Sequence, residues 1–434
     1  MADEAEITLK CNLEVEDIRL WSTWDHGYPW MYQAEFTLSQ GKNILSSRIM
    51  NFAFREVQIE RNEKMTRFWL NKKKLYVRGT SYFPDCYISA MTRERYLRDL
   101  LNVKAAGFNL VRVHVHTGSR KFFMTCVTNW ELRILQDSEY NWTHPSTDEW
   151  AQRFADIYRE NVKLLKHHPS LICWIIMNEP GCIDPDGNVR RRFMEENPGP
   201  ALYREVQKMD PGRPIIKGSF CEDDPFSGDS HNYLGSLTGG EYGDIYDQTE
   251  KLNTEYGFDA PGCRENLKTV PSVYHRLEKL MDDIPKIQEY QYRLSKYYTE
   301  HYRIQNMNRA QDMCSSCLSI CVLRVSDGLY DWWGIPKKGL QAMLESNAPV
   351  GVFAKHKDYL DSLYIVNDTH EDLGQCELTW IITEAFSGNL VEKGTVTAEI
   401  QADSCIKAKE FESGYGKEQN GILHLFFLIT MENA

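Results

Sequence analysis

The sequence lacks any long apolar run. None of its 434 residues lie in a stretch approaching the roughly 20 apolar residues that a membrane-spanning helix needs. Its opening, MADEAEITLK, is acidic and lacks the basic start and apolar middle of a signal peptide. An excess of positive charge is also lacking: 50 Lys and Arg stand against 62 Asp and Glu, and the formal net charge of -12 disfavours nucleic acid and anionic membranes as partners. We therefore expect a cytoplasmic protein that is not embedded in a membrane. Its ligands could be neutral or cationic.

Sequence signatures of disulfide frameworks, zinc sites and nucleotide-binding loops are missing too. The 12 cysteines are scattered and form no compact disulfide framework, so we expect reduced, mostly buried thiols. Cys314 and Cys317 form half of a zinc motif without a second pair, which favours ordinary buried cysteines. Asn141-Trp142-Thr143 matches a glycosylation triplet, but without a signal peptide it carries little weight. No glycine-rich phosphate loop follows an early strand, which argues against a nucleotide-binding doubly wound sheet.

The length predicts two or three domains. Residues 1–62 contain short alternating segments, at 7–11 and 31–36, that are typical of strands in a β-sandwich. Residues 351–434 have the same character, with predicted strands at 378–382 and 423–429. We therefore predict a partial immunoglobulin-like sandwich at the N-terminus and a β-sandwich at the C-terminus.

Residues 63–350 show a different pattern, in which strands alternate with helices. A helix is predicted to begin near Thr92, and a long amphipathic helix to cover 148–166. The predicted strands are 75–79, 109–114, 132–137, 171–176, 214–217, 251–254 and 318–323. Such alternation over this length predicts an α/β fold in the form of a (β/α)₈ barrel.

Two predicted strands end in carboxylates. One runs into Asn178-Glu179-Pro180, where the proline is expected to end the strand, and the other into Glu255-Tyr256-Gly257. Catalytic groups of such barrels lie at the carboxyl ends of strands, and retaining glycoside hydrolysis uses two carboxyl groups about 5–5.5 Å apart. Asn178 would then hold a sugar hydroxyl, and Tyr256 would bond a carboxylate or the sugar. The alternative is that each glutamate caps a helix or forms a salt bridge.

Further candidates lie at other strand ends. Arg112, His114 and His116 are two residues apart, so they would face one side while the strand lasts. A metal site is disfavoured because no third ligand is evident and the arginine would repel a cation, so hydrogen-bonding residues at the barrel mouth are the preferred interpretation. Trp332 and Trp333 follow the last strand. We expect one of them to stack on a sugar ring and the other to pack in the core.

These motifs resemble glycoside hydrolase family 2, the family of β-galactosidases, β-glucuronidases and β-mannosidases. Residues 19–29 look like part of its immunoglobulin-like domain, and 54–57, 68–71 and 78–79 like the entry to its barrel. Asn178-Glu179 is similar to the family's acid/base motif and 254–257 to its nucleophile motif. The resemblance implies a retaining mechanism without metal or organic cofactor, with Glu179 as acid/base and Glu255 as nucleophile. His231 and Tyr233 resemble a sugar-facing segment.

The chain also departs from the family. No jelly-roll domain is visible before the barrel, and the stretch 122–131 lacks a Cys-Asp pair, so we expect folding to be perturbed there. In the family's Asn-x-x-Arg-x-x-His strand, Asn109 and Arg112 fit, but Val115 stands where the histidine belongs. The charge of the neighbouring nucleophile is expected to raise the pKa of Glu179.

The leading prediction is an exo-β-glycosidase. Gln136-Asp137 is closer to the β-mannosidases, which makes Asp137 a further substrate-binding candidate, although the mannosidase run of asparagines before the acid is missing. An Asn-x-Lys segment that would hold a glucuronate is also missing from the last barrel loop. β-Galactosidase or β-glucuronidase activity, an endo-β-glycanase sharing Asn-Glu-Pro, and an inactive carbohydrate-binding scaffold remain alternatives. The expected partner is carbohydrate, and a homo-oligomer is left open.

Overall fold

The computed structural model describes residues 12–62, 65–84, 88–116, 121–143, 147–183, 189–190, 198–220, 229–309, 312–319, 328–412, 415 and 421–429. The predicted strand at 7–11 and residues 320–323 of the one predicted at 318–323 lie outside these residues. No helix of this described part is long and apolar enough to cross a membrane.

Two small antiparallel sheets precede the barrel. Strands β1 (Tyr32–Gln40) and β2 (Asn43–Phe52) form a hairpin, whose turn uses Gly41 at φ +61°, a conformation that favours glycine. Strands β3 (Val57–Arg61), β4 (Thr66–Leu70) and β5 (Lys73–Leu75) form a three-stranded sheet. The apolar face of this sheet packs, with the fully buried Trp21, against barrel side chains such as Leu110 and Ile172 at the beginnings of their strands. It therefore closes the amino end of the barrel.

The described residues at the centre of the chain form a barrel of eight parallel strands with two short additional strands. The barrel strands are β6 (Arg78–Phe83), β7 (Leu110–Val113), β8 (Arg133–Asp137), β10 (Leu171–Ile183), β12 (Ile215–Ser219), β13 (Ser230–His231), β14 (Leu252–Glu255) and β15 (Asp312–Ser319). The additional strands β9 (Asn141–Thr143) and β11 (Val189–Arg190) both pair with β10. The predicted α/β barrel is thereby confirmed. Cys314 and Cys317 fall within β15, which begins six residues before the predicted strand.

Helices cover the outside of the barrel. They are α1 (Arg93–Ala105), α2 (Lys121–Asn129), α3 (Asp148–Leu165), α4 (Gly199–Met209), α5 (Arg264–Leu267), α6 (Pro271–Leu277), α7 (Ile284–Arg309) and α8 (Lys338–Ser346). Thr92 and Thr147 cap α1 and α3 by accepting backbone N–H groups with their side chains. A regular α2 occupies the stretch where we expected perturbed folding. The described residues between β13 and β14 carry only a short 3₁₀ helix, Tyr242–Asp247.

The C-terminal part consists of two three-stranded antiparallel sheets packed face to face. One contains β16 (Val350–His356), β17 (Leu360–Asn367) and β20 (Ser404–Glu410), and the other contains β18 (Gly374–Glu384), β19 (Leu390–Ile400) and β21 (Gly421–Ile429). Alternate side chains such as Leu363, Leu378 and Trp380 point inwards and form the core between the sheets. Arg303 of α7 donates to Asp368 at 2.8 Å, and this buried pair holds the sandwich against the barrel.

Candidate active site

Glu179 and Glu255 lie together at the carboxyl ends of the barrel strands. The parallel ladder between β10 and β12 runs as far as Asn178 and Ser219, so Glu179 comes directly after it. Pro180 does not end β10, contrary to our expectation, because the strand continues beyond it by pairing with β9 and β11. Glu179 has a φ of +45°, a left-handed conformation that is strained for a residue with a side chain. This turn of the backbone sets its direction at the barrel mouth.

The Glu255 carboxylate is surrounded by donors. Arg112 Nη1 donates to Oε1 at 2.8 Å, and His114 Nε2 lies 2.9 Å from the same atom. The Tyr233 hydroxyl donates to Oε2, from which His231 Nδ1 lies 3.4 Å. Burial by itself raises the pKa of Glu255. The charges of His231, His114 and Arg112, together with the His114 hydrogen bond, outweigh it and hold the pKa well below its usual range. Glu255 is therefore a buried carboxylate whose ionised form is favoured by its surroundings.

Arg112 organises the floor of the site. Its side chain is fully buried, and its Nη2 donates to Asp137 Oδ2 at 2.9 Å, Asn178 Oδ1 at 2.6 Å and Ser219 Oγ at 2.7 Å. Asp137 and Asn178 were expected to contact substrate. The structure places both beneath Arg112, with at most 2% of either residue exposed. Burial lowers the pKa of the guanidinium, but the charges of Asp137 and Glu255 outweigh this and raise it, so Arg112 stays charged.

Glu179 has a more open environment, with 20% of its side chain exposed. His231 Nδ1 lies 2.7 Å from Oε1, and Trp142 Nε1 donates to Oε2 at 2.7 Å. Burial raises the pKa of Glu179, as does the charge of Glu255. The hydrogen bond and charge of His231 outweigh both, and the net pKa lies below its usual value. The expected raised pKa is thus wrong for the free protein, because the donors around Glu179 exceed the repulsion from Glu255.

His231 connects the two carboxylates. Its Nδ1 contacts both glutamates, while Nε2 lies 3.1 Å from Ser219 Oγ. The ring of Phe220 stacks on the imidazole with centroids 5.1 Å apart. Glu179 and Glu255 each place a carboxylate oxygen, and His231 a ring nitrogen, within 4.8 Å of one another. A cation could bridge atoms at this spacing. The buried guanidinium of Arg112 already supplies positive charge there, so the electrostatics disfavour a cation.

Two predicted site residues point elsewhere. The backbone at Val115 has a φ of +44°, which ends the alternation after His114. His116 therefore turns back, with its Nδ1 2.8 Å from the carbonyl oxygen of His114, and desolvation lowers the pKa of its imidazole to about 4. Tyr256 follows Glu255 along the strand and so faces the other way, where its hydroxyl hydrogen-bonds Thr299 at 2.8 Å. Tyr233, not Tyr256, is the tyrosine bonded to Glu255.

The tryptophan pair lies beyond the last strand. Trp333 packs against the apolar side chains of Leu267, Met281 and Ile284. Trp332 contacts Trp333 edge to face, with centroids 5.2 Å apart. Trp333 therefore takes the packing role that we expected of one member of the pair, and the sugar contact of Trp332 stays a prediction.

Sequence reasoning missed three residues that complete the site. Ser219 lies at the end of β12 and joins Arg112, Asn178 and His231. Asn141 accepts from Asn178 Nδ2 at 2.8 Å, and its neighbour Trp142 donates to Glu179. The available signal was positional: Ser219 ends β12, while Asn141 and Trp142 lie in the segment that follows β8, on the side of the barrel where the strands end.

Comparison with known proteins identifies the family of the barrel. The sequence profile "Glycosyl hydrolases family 2, TIM barrel domain" matches residues 61–297. Beta-mannosidase B of Aspergillus fumigatus is 24% identical over 287 residues, which cover 58% of this chain and 33% of that protein. The chain thus spans about a third of the length of the curated mannosidases it matches.

Solved structures show the same fold. The β-D-mannosidase of Dictyoglomus thermophilum superposes with a TM-score of 0.83 at 18% identity, covering 96% of this chain and 56% of that one. The exo-chitosanase of Amycolatopsis orientalis has a TM-score of 0.70 at 16% identity, with 95% and 55% covered. Because the family profile covers more than half of the sequence and the site lies within it, the chain belongs to glycosyl hydrolase family 2.

Proposed function

We propose that this protein is a retaining β-glycosidase in which Glu255 is the nucleophile and Glu179 the acid/base. The observation that carries the proposal is the approach of the two carboxylates, whose nearest oxygens lie within 4.8 Å. Retaining enzymes hold their carboxyl groups about 5–5.5 Å apart, whereas inverting enzymes leave about 6.5–9.5 Å for a water molecule. The spacing supports direct attack by a carboxylate.

The surroundings of each carboxylate favour one role. Glu255 is buried and ionised, and its four neighbouring donors fix it as a nucleophile aimed at the anomeric carbon. Glu179 is more exposed and has a hydrogen-bonding imidazole beside it, which suits a group that gives and later takes a proton. Arg112 is a positioning residue, because it is fully buried and holds Glu255 in place.

The reaction follows in two steps. In the first, Glu255 attacks the anomeric carbon while protonated Glu179 gives its proton to the glycosidic oxygen, and the leaving group departs as an alcohol. In the second, the Glu179 carboxylate takes a proton from water, the water oxygen attacks the anomeric carbon, and the bond to Glu255 breaks. Because the pKa of Glu179 is lowered in the free protein, its acid form is the minor one at neutral pH, which favours an acidic optimum.

For the sugar, a terminal β-mannoside is the leading candidate. Two relatives named as mannosidases support it, one by sequence and one by fold. β-Galactosidase or β-glucuronidase action, endo-cleavage of a β-glycan, and binding without turnover are the alternatives. Comparing aryl monoglycosides with polymeric β-mannan separates exo from endo action.

We further propose three units: a partial immunoglobulin-like sandwich at 1–62, the catalytic barrel at 63–350 and a β-sandwich at 351–434. The catalytic groups all fall in the second unit. We expect a cytoplasmic protein that acts on carbohydrate, and light scattering of the purified chain will decide whether it forms a homo-oligomer.

The test is a panel of p-nitrophenyl β-glycosides carrying mannose, galactose, glucose and glucuronate. Glu179→Ala and Glu255→Ala are assayed beside the wild-type protein, with Glu205→Ala, a surface ion-pair residue, as the matched control. We expect turnover of one sugar, loss of turnover in Glu255→Ala, partial rescue of that variant by azide, and no change in Glu205→Ala. If the folded wild-type protein turns over none of these substrates, the exo-glycosidase proposal fails.

A further inference from the structure

Trp142 occupies an unusual position beside Glu179. Its indole N–H donates to Glu179 Oε2 at 2.7 Å, yet 57% of the residue is exposed. Its backbone φ is +58°, a left-handed conformation that is costly for a bulky side chain. The short strand β9 is fixed to the strand that carries Glu179, since Asn178 pairs with Asn141 in the ladder and donates to it through its side chain. The fold thus holds a strained, largely exposed tryptophan against a catalytic carboxylate.

The two oxygens of Glu179 have different partners. Oε1 faces His231, whose side chain is 1% exposed and is held by Ser219 and the ring of Phe220. Oε2 faces the indole of Trp142. An imidazole nitrogen can either donate or accept, but an indole N–H only donates. While the indole donates to Oε2, that oxygen is favoured as an unprotonated acceptor and its lone pair towards a ligand is covered.

We propose that Trp142 is a positioning and leaving-group-recognition residue. It covers Glu179 Oε2 in the free protein, and the arriving leaving group displaces it and stacks on its exposed ring. Of the two described residues that hydrogen-bond Glu179, Trp142 is the one with room to move, because the side chain of His231 is only 1% exposed. This inference rests on the proposed role of Glu179 as acid/base.

The displacement fits both steps of the reaction. When the indole leaves Oε2, that oxygen can carry the proton that passes to the glycosidic oxygen as the bond to the anomeric carbon breaks. After the leaving group departs, Oε2 takes a proton from the attacking water, and the indole N–H returns to Oε2 once that proton has passed to solvent. A leaving group with an apolar sugar face gains contact area on the displaced ring, whereas a small aryl group that departs without protonation gains little.

The first experiment measures the titration of Glu179 without relying on turnover. Protein labelled with ¹³C at the glutamate carboxyl carbon is titrated by NMR, and the Glu179 signal is assigned by its absence in Glu179→Gln. Trp142→Phe keeps a ring but removes the N–H. A hydrogen bond to the charged form lowers a carboxyl pKa, so we expect the Glu179 titration to move to higher pH in this variant.

Trp69→Phe is the matched control. Trp69 Nε1 donates to the Glu60 carboxylate at 3.4 Å in the sheet that closes the other end of the barrel, so this variant loses the same type of bond outside the site. We expect it to leave the Glu179 titration unchanged. An unchanged Glu179 titration in Trp142→Phe would overturn the inference, and this measurement stays decisive in a protein that turns over no substrate.

The second experiment compares leaving groups on one glycone. Trp142→Ala removes both the donor and the ring. We expect its kcat/KM to fall by about tenfold for a disaccharide, the equivalent of about 1.4 kcal/mol, and by less than about twofold for the 2,4-dinitrophenyl glycoside of the same sugar. Equal losses on both substrates would indicate a merely structural role and refute leaving-group recognition. If the wild-type protein turns over neither substrate, the proposed function fails. The contact between Trp142 and Glu179 is then still tested by the titration.

Discussion

Arg112 and Glu255 form a buried ion pair in which Nη1 lies 2.8 Å from Oε1. No part of the Arg112 side chain is exposed, and only 9% of that of Glu255 is. The same guanidinium bonds Asp137 through two nitrogens, at 3.2 and 2.9 Å. One arginine therefore holds the proposed nucleophile in place, and its removal takes away the cation that the two carboxylates share.

Replacing Arg112 tests this arrangement. We expect Arg112→Met to lower the free energy of unfolding by about 3–5 kcal/mol, because breaking a buried pair leaves unpaired charge behind. Arg112→Lys keeps a charge but not the planar fork, so it should still lose most activity. Urea unfolding and kcat measure the two effects.

Arg159→Met, which breaks a partly exposed surface pair, is the control and should lower the free energy of unfolding by about 1 kcal/mol or less. Similar costs for the two methionine variants would contradict the prediction.

The depressed pKa of Glu255 makes stability depend on pH. The pKa of Glu255 is lower in the folded protein than in the unfolded one. Such a carboxyl group stabilises the fold above its unfolded pKa, and this stability is lost as the pH falls through its folded pKa. The wild-type protein should therefore lose free energy of unfolding on acidification. Glu255→Gln cannot titrate at this position and should lose less over the same range. Urea unfolding of both proteins from about pH 7 down to about pH 3, through and below the usual carboxyl range, measures the difference. Parallel curves would show that Glu255 contributes nothing to the acid sensitivity.

Tyr233 offers a test of how the nucleophile is held. Its hydroxyl donates to Glu255 Oε2, and Tyr233→Phe removes this bond while keeping the ring. We expect kcat to fall by about tenfold to a hundredfold, corresponding to roughly 1.5–3 kcal/mol for a hydrogen bond to a charged group. KM should change little, because the bond orients the carboxylate. Tyr256→Phe is the control, since the hydroxyl of Tyr256 bonds Thr299 in the core, and it should leave kcat nearly unchanged. A larger loss of kcat in Tyr256→Phe would refute this assignment of the two tyrosines.

Local pattern was enough to predict the barrel and its candidate carboxylates. Two predicted strands, one before Asn178 and one before Glu255, end at the barrel mouth. Because parallel strands of a barrel have their carboxyl ends on the same side, this rule was enough to predict that both glutamates lie there. The alternation rule also predicted that Arg112 and His114 share a face, and both contact Glu255.

The remaining features depend on contacts that no sequence window contains. The left-handed backbone at Val115 turns His116 away, although the spacing placed it with His114. The sign of the Glu179 pKa shift depends on His231, which is 52 residues distant in sequence. Trp142 belongs to a short strand whose pairing with β10 is a tertiary event. Side-chain direction after a strand ends, and charge balance between distant segments, are set by the packed fold.

Asp25 provides a prediction at the other end of the barrel. Its carboxylate lies 2.7 Å from Arg78 and 3.3 Å from Arg133, and it accepts from Asn109 at 2.7 Å. Burial raises the pKa of Asp25, but the charges of Arg133, His26 and Arg78 outweigh it and lower the pKa far below the usual range. Arg78 also reaches Asp368, so this buried network joins the N-terminal segment, the barrel and the C-terminal sandwich.

We expect Asp25→Asn to lower the free energy of unfolding by about 3–5 kcal/mol, because it removes the negative partner of buried arginines. The folded fraction should keep its kcat, since Arg78, Asn109 and Arg133 lie at or next to the amino ends of their strands, away from Glu179 and Glu255. Asp156→Asn, in an exposed helical pair with Arg159, is the control and should cost about 1 kcal/mol or less. Urea unfolding combined with active-site titration separates the two effects. A loss of kcat without loss of stability would refute the prediction that Asp25 acts on stability alone.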